Sequence, residues 1–140
     1  MKMNELMTIG KLAGQSGVNV ETIRFYERKG ILKRPKRIGA FRQYSKDYIN
    51  QIRFIKRSQE LGFTLNEVKE LINLQVNKDS RCSDVLSKTE DKIREIDQKI
   101  KDLKKMKNSL KELAECCIDD DYLLSDCPIF ECFTSRKEKI

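Results

Sequence analysis

The chain has 140 residues, of which five are cysteine and none is histidine, and its formal net charge is +7 at pH 7. This length suits a small domain with an extended element, and the positive charge suits a polyanionic partner. No segment has the apolar length of a membrane span or a signal peptide, and the lack of histidine removes the commonest general base. We therefore expect a cytoplasmic protein that contacts no membrane and is not an enzyme.

Two short helices joined by a glycine-containing turn are predicted near the N-terminus. Thr8 and Asn19 can cap them, and Gly30 can end the second. The pair is a candidate helix-turn-helix whose second helix would enter a DNA major groove, although an ordinary helical hairpin is the alternative. Apolar side chains of the second helix would face the first, leaving these side chains outward: Glu21, Thr22, Arg24, Tyr26 and Arg28.

The segment after the second helix is basic and contains aromatic residues. Pro35 and Gly39 interrupt it, and the alternation from Ala40 to Tyr44 predicts a small two-stranded ribbon. Cations and a phenol hydroxyl beside a helix-turn-helix are suited to phosphate contact, although a solvated loop is the alternative. The side chains concerned are Lys33, Arg34, Lys36, Arg37, Arg42 and Tyr44.

A second helical pair is predicted to pack on the first. Ser45 can cap a helix that ends at Gly62, and Thr64 with Glu67 forms a capping box for the next. This completes a predicted domain over residues 1–75. The polar, unpatterned residues 76–81 are predicted to be a hinge.

Residues 82–116 are predicted to form one long dimerisation helix. The segment lacks Gly and Pro, and its apolar residues recur mostly at steps of three and four, which is typical of a coiled-coil seam. One apolar stripe on so polar a helix needs a partner, and a second copy of the chain is the simplest one. The seam residues are Leu86, Ile93, Ile96, Ile100, Leu103, Met106, Leu110 and Leu113.

Cysteines stand at both ends of this helix. Cys82 and Cys117 are 35 positions apart, which is about 50 Å along a continuous helix, whereas a metal–sulfur bond is about 2.3 Å long. An antiparallel homodimer would bring Cys82 beside the partner's Cys117, at two equivalent sites. The alternative is a plain dimerisation helix with incidental cysteines.

Residues 117–140 are predicted to be a metal-binding loop and tail. Pro128 directly follows Cys127, so the chain can turn back and bring Cys127 toward Cys117. With the partner's Cys82 these make a three-sulfur site, and soft thiolates favour Hg(II), Cd(II), Pb(II) or Zn(II).

The remaining two cysteines are predicted to be free as well. A reducing compartment favours thiols or metal ligands over disulfides. Cys116 is a candidate extra ligand at the frayed helix end, and Cys132 is expected to pack as a small apolar residue.

Three segments, MTIGKLAGQSGVNVETIRFYERKGIL, FRQYS and IRFIKRSQELGFTLNEVKELI, resemble in this order the winged helix-turn-helix of MerR-family transcriptional regulators. The long helix and the CPI tail resemble the metal-sensing branch, so that the resemblance runs from Met7 to Phe133. It implies a mainly α fold, with a winged helix-turn-helix domain, a long antiparallel dimerisation coiled coil and a C-terminal metal-binding loop. It also implies a homodimer that holds RNA polymerase on a pseudo-palindromic promoter operator until metal binding distorts the DNA.

The resemblance assigns residues to these roles. Positions that match DNA contacts are Arg24, Tyr26, Arg42 and Tyr44, to which we add Thr22 and Arg37 from the outward helix face and the basic run. The matching metal triad is Cys82, Cys117 and Cys127.

The resemblance also suggests the effector. Mercury sensors of the family use three cysteines and no histidine, which favours Hg(II) held by three thiolates. The adjacent Cys116 and Cys117 resemble zinc sensors, so Zn(II), Cd(II) or Pb(II) is the alternative. Rival functions are a metal-buffering coiled-coil protein and a redox sensor that uses Cys116, Cys117 and Cys127.

Overall fold

The computed structural model describes residues 5–117 and 119–135. The chain divides into two compact units, Met1–Thr89 and Glu90–Ile140, called here the first and second unit. The mainly α class, the two-stranded wing and the long helix are as predicted. The elements are α1 Ile9–Ser16, α2 Val20–Arg28, β1 Arg37–Ile38, β2 Phe41–Arg42, α3 Asp47–Glu60, α4 Leu65–Val76, α5 Cys82–Glu115, a 3-10 turn Leu124–Asp126 and α6 Ile129–Thr134.

The helix-turn-helix begins and ends where the capping residues predict. The Thr8 hydroxyl accepts a hydrogen bond from Lys11 N at 3.3 Å, and Asn19 Oδ1 accepts one from Thr22 N at 2.8 Å. Gly17 closes α1 with φ of 72°, a conformation that glycine adopts without strain. Each helix is therefore fixed at its start by its own side chain.

The core of the first unit lies where α1 packs on α2 and α3, and α3 on α4. These contacts need apolar side chains at helical spacing, and the sequence provides them. Fully buried side chains include Leu12, Ile23, Leu32, Ile52, Ile55 and Val68. Helix α2 is thus held in place by its packing on α1, with Ile23 in the core.

The wing is an antiparallel ribbon that pairs Arg37 with Arg42 and Ile38 with Phe41. Gly39, with φ of 71°, opens the two-residue turn, as a tight hairpin requires. Beyond the ribbon, the backbones of Met7 and Tyr44 exchange two hydrogen bonds of 2.8 Å. This bridge fastens the base of the wing to the chain just before α1.

The first two turns of α5 belong to the first unit. Lys88 Nζ on α5 lies 2.8 Å from Glu70 Oε2 on α4. The division between the two units falls inside α5, after Thr89. The hinge at residues 76–81 stays a prediction.

The second unit exposes its apolar residues. The α5 seam positions from Ile93 to Leu110 are 39% to 61% exposed, and α6 exposes Phe130 and Phe133. Among the helices in the described part of the chain, none combines the length and apolar character needed to cross a bilayer.

Candidate DNA interface and thiol cluster

Five arginines surround a concave surface between α2 and the wing. Two come from α2, two from the wing strands, and one from the loop between them. They are Arg24, Arg28, Arg34, Arg37 and Arg42, and the same surface includes Thr8, Glu27, Phe41 and Tyr44. This density of cations around one carboxylate is suited to binding a polyanion.

The wing places two cations directly opposite each other. Arg37 pairs with Arg42 across the antiparallel strands, an arrangement that is destabilising for like charges without a counter-ion. Neighbouring Phe41 is 72% exposed. An anionic partner would neutralise these two charges, so we expect the ribbon to bind one.

Arg24 lies on the exposed face of α2. Its guanidinium is 3.2 Å from Glu21 Oε1, and both side chains are more than half exposed, so this pair contributes little stability. Arg24 can exchange Glu21 for a phosphate at little cost. Thr22 is half-buried, and its hydroxyl donates to Asn19 Oδ1 at 2.8 Å, so its side chain is part of the helix cap.

The outward position predicted for Tyr26 is wrong. Its side chain is only 3% exposed, and its hydroxyl donates to Gln59 Oε1 on α3 at 2.8 Å. Burial raises the pKa of this phenol. The reason is helical spacing: Tyr26 lies three residues after the buried Ile23, on the same face.

Tyr44 is also inside the protein instead of on the wing surface. It is 1% exposed, and its hydroxyl donates to Glu27 Oε2 at 3.2 Å. Burial, then the charge and hydrogen bond of Glu27, raise the pKa of Tyr44 to about 12. The buried Tyr44 phenol therefore packs against the elements that carry the concave arginine surface.

The assigned set of DNA contacts omitted three charged residues of the concave surface. Arg28 follows Arg24 by four residues, which places both on one helix face, and Arg34 belongs to the basic run. Either could have been included from sequence. Glu27 could not, because only the fold shows that its side chain is 2% exposed among arginines.

In the second unit, the thiols of Cys117 and Cys127 interact. Partial burial raises the pKa of the Cys117 thiol, and the charge and hydrogen bond of Cys127 raise it further, as does Asp120. A backbone hydrogen bond with Asp119 lowers it. The raised pKa favours the protonated Cys117 thiol, and binding of a soft cation to Cys117 would release that proton.

Cys82 lies at the other end of α5 and is exposed. The helix runs unbroken for 34 residues from Cys82, or about 50 Å. Within one chain, no group of three or more Cys, Asp or Glu side chains in the described residues is placed to hold a metal ion. Within one chain, the two predicted ligands that interact are Cys117 and Cys127.

The structure differs from the expectations for Cys116 and Cys132. Their sulfurs form a disulfide, with the Cα atoms 6.6 Å apart. The chain turns back after Cys127, as predicted, but it brings Cys132 on α6 to Cys116 at the end of α5, a pairing that was not predicted. In this form Cys116 has no thiolate to offer as an extra ligand, and Cys132 is a bonding partner instead of an apolar filler.

A capped helix-turn-helix with an exposed basic face, followed by a two-stranded basic wing, defines a winged helix-turn-helix DNA-binding protein. A family model described as "MerR HTH family regulatory protein" matches residues 7–75, and one described as "MerR, DNA binding" matches residues 49–113. The chain belongs to the MerR family of transcriptional regulators.

Its relatives include metal-linked regulators. The mercuric resistance operon regulatory protein of Bacillus cereus is 43% identical over 124 residues, 88% of this chain and 93% of that protein. MerR from Bacillus megaterium MB1 in complex with mercury(II) has a TM-score of 0.71 at 37% identity, over 91% of this chain and 99% of that one. PbrR691 from Ralstonia metallidurans CH34 in complex with lead(II) has a TM-score of 0.82 at 30% identity, over 91% and 98%.

Proposed function

We propose that this protein is a homodimeric, metal-responsive transcriptional regulator. It binds a pseudo-palindromic promoter operator together with RNA polymerase, in the cytoplasm. Binding of Hg(II) to cysteine thiolates across the dimer interface distorts the DNA and activates transcription. Zn(II), Cd(II) or Pb(II) is the alternative effector.

The DNA-binding part of the proposal is supported by the concave arginine surface of the first unit. Arg24 on the recognition helix and Arg42 on the wing belong to one continuous surface. A helix that enters a major groove while its wing holds the adjacent backbone uses this arrangement. Buried Tyr26 and Tyr44 support these elements, so we assign direct contact to the arginines.

The homodimer is supported by the exposed seam of α5. Ile100 is 45% exposed and Leu103 is 61% exposed, although both belong to one apolar stripe. Such a stripe gains stability by packing on a second helix. A second copy in antiparallel orientation presents the same stripe by symmetry.

The observation that carries the metal site is the interacting pair Cys117 and Cys127, with exposed Cys82 at the opposite end of the same helix. In an antiparallel dimer, Cys82 adds the third sulfur to the partner's pair. Three thiolates and no histidine suit Hg(II), and mercuric resistance regulators are among the relatives. The lead(II) complex of PbrR691 keeps Pb(II) as an alternative.

Regulation requires coupling between the two sites. A metal ion bound across the interface joins two chains, each of which includes a DNA-binding unit, and can change the relation between those units. DNA that must twist or bend to remain bound then changes shape. By linkage, operator DNA and metal must change each other's affinity.

Subunit mixing tests the shared site. A heterodimer of Cys82→Ala and Cys117→Ala chains should bind one equivalent of metal, because both lesions fall in the same shared site. Each single-variant homodimer should bind none with three-sulfur affinity. The measurement is metal per purified heterodimer, made with differently tagged chains and a competing small thiol.

The matched control carries both substitutions on one chain, paired with a wild-type chain. In the shared arrangement both sites of this heterodimer are damaged, so no intact site remains. If all ligands came from one chain, the control would keep one site and the first heterodimer would keep none. That reversed result would refute the proposal.

The effector is tested by titrating the dimer with Hg(II), Zn(II), Cd(II) and Pb(II) against a competing thiol, with transcription as readout. Footprinting of the promoter spacer should change when the effector is added. A footprint that no thiophilic metal changes would eliminate the distortion mechanism, even for a protein that binds DNA.

A further inference from the structure

One acidic side chain lies within the arginine surface of the first unit. Glu27, near the end of α2, has a side chain only 2% exposed. Burial of a carboxylate is unfavourable unless hydrogen bonds and opposite charges compensate for lost hydration. Its presence in an interface for a polyanion therefore needs a physical reason.

The contacts of Glu27 connect three segments. Its Oε2 atom accepts a hydrogen bond from the Tyr44 hydroxyl at 3.2 Å, and Arg34 Nε lies 4.0 Å from the same atom. Arg34 precedes the first wing strand and Tyr44 follows the second. One carboxylate oxygen thus connects the recognition helix to both sides of the wing.

The wing side of this connection is itself rigid. The Tyr44 backbone forms the bridge to Met7, and the Tyr44 ring meets the edge of Tyr48 with centroids 5.1 Å apart. The Tyr48 hydroxyl donates to the Lys33 carbonyl at 2.6 Å. Because Tyr44 is held by these contacts, its hydrogen bond to Glu27 fixes α2 relative to the ribbon.

We propose that Glu27 is a positioning residue for DNA recognition. It fixes the angle between α2 and the wing, so that Arg24 on the helix and Arg42 on the wing contact the same DNA segment. This inference rests on the proposed DNA-binding role. It assigns to Glu27, an acidic residue, a role in sequence selectivity. A buried charge-assisted hydrogen bond is directional enough for this task.

The competing explanation is that Glu27 only lowers the local positive charge. The two explanations predict opposite results for Glu27→Gln. Charge alone predicts tighter binding to every DNA sequence, with the ratio of specific to nonspecific affinity unchanged. Positioning predicts a lower ratio, because phosphate contacts by the wing then no longer hold α2 in the register in which it reads the bases.

The experiment uses a duplex selected by the wild-type dimer from a random-sequence pool, and an unselected duplex of equal length. Dissociation constants for both are measured at one salt concentration. We expect Glu27→Gln and Tyr44→Phe each to lower the affinity ratio roughly tenfold, because the first removes the charge of the acceptor and the second removes the donor of one charge-assisted hydrogen bond. The double variant should show little further loss, since both changes act on the same bond.

Glu60→Gln is the matched control. Glu60 is an exposed carboxylate on α3 that pairs with Arg57 at 3.4 Å, and it is not part of the arginine surface. Its substitution makes the same charge change and should leave the affinity ratio unchanged. Thermal unfolding of each variant checks the fold, and Tyr44→Phe keeps the ring that fills the core.

The outcomes separate the two levels of inference. A wild-type dimer that selects no sequence would contradict the proposed recognition of an operator. A wild-type dimer that selects a sequence, with Glu27→Gln and Tyr44→Phe variants that keep its ratio, would overturn the positioning role alone. Additive losses in the double variant would also overturn it, because the two residues would then act independently.

Discussion

The two units of this chain distribute their apolar residues in opposite ways. In the first unit, the buried hydrophobic core extends from Met7 to Leu71, with isoleucines that are fully enclosed. In the described part of the second unit, residues 90–117 and 119–135, Lys92 alone is classed as buried, and isoleucines and leucines of α5 face outward. The first unit has a buried apolar core of its own, whereas the second presents an apolar surface that is suited to packing on another chain.

This contrast matches the proposed division of labour. A rigid DNA-binding unit needs a core that keeps its arginines in place. A sensor unit that responds to metal through a dimer interface needs apolar surface that becomes buried on association. The contrast predicts that stability and association can be changed separately.

The largest effect is expected from Ile100→Asp in the α5 seam. Burial of one isoleucine contributes about 1.5–3 kcal/mol, and a symmetric dimer loses that contribution twice. At about 1.4 kcal/mol per tenfold change, the dimer dissociation constant should rise roughly 100-fold or more. Sedimentation equilibrium measures this constant, and the first unit should keep its helical signal.

Gln98→Asp is the control for this change. It adds the same charge two residues away, about 200° around the helix from the seam, and should leave the dimer almost intact. Equal weakening by both substitutions would mean that charge, and not the apolar stripe, governs association.

The next largest effect is expected in the core of the first unit. Ile52 on α3 is fully buried, and truncation of such a residue to alanine costs about 2–5 kcal/mol of unfolding free energy. Denaturant unfolding of Ile52→Ala should show this loss, with the dimer constant unchanged. Val76→Ala, at a side chain that is 74% exposed, should stay within about 0.5 kcal/mol. If Ile52→Ala lowered the unfolding free energy and also raised the dimer dissociation constant, the two units would not be independent.

The sequence alone predicted those features that depend on residues close together in the chain. The caps at Thr8 and Asn19, the capping box at Thr64 and the seam of α5 are local patterns, and each element begins where they indicate. The ribbon was predicted from alternation and from Gly39. These signals are local because hydrogen bonds at helix starts and tight turns join residues a few positions apart.

Sequence was insufficient where a side chain has a distant partner. Tyr44 is inside because its backbone pairs with Met7, 37 positions earlier, and a basic aromatic loop does not reveal that bridge. Tyr26 could have been assigned to the core from its spacing to Ile23, but its polar tip also suited a surface role. Pro128 indicates that the chain turns back, but no local pattern indicates that the turn pairs Cys116 with Cys132.

The disulfide gives a prediction of intermediate size for the second unit. Its loss in Cys132→Ser removes the closure of a loop with a sequence separation of 16, and such closure is worth about 3 kcal/mol. Because Cys127 lies within this loop, its thiol should become more reactive. The variant therefore tests whether the second unit has a stabilising element of its own.

Thiol counting provides the measurement. Protein purified without reductant should be alkylated at Cys82, Cys117 and Cys127 only, and at all five cysteines after reduction. The Cys132→Ser variant should have a fourth reactive thiol, at Cys116. Its Cys127 should be alkylated faster than Cys127 of the wild-type protein. Five reactive thiols in the untreated protein would refute the disulfide.

The smallest expected effect is on DNA affinity, and it tests whether DNA binds to the first unit. If Arg24 and Arg42 each neutralise one phosphate, Arg24→Ala and Arg42→Ala should each reduce the slope of log affinity against log salt by about one unit. The loss should be similar for selected and unselected duplexes, because phosphate contacts do not read sequence. Lys105→Ala, an exposed cation of the second unit, changes the net charge equally and should leave the slope unchanged. If Lys105→Ala changed the slope as much as Arg24→Ala, long-range charge and not the arginine surface would hold the DNA, and the two units could not be assigned separate roles.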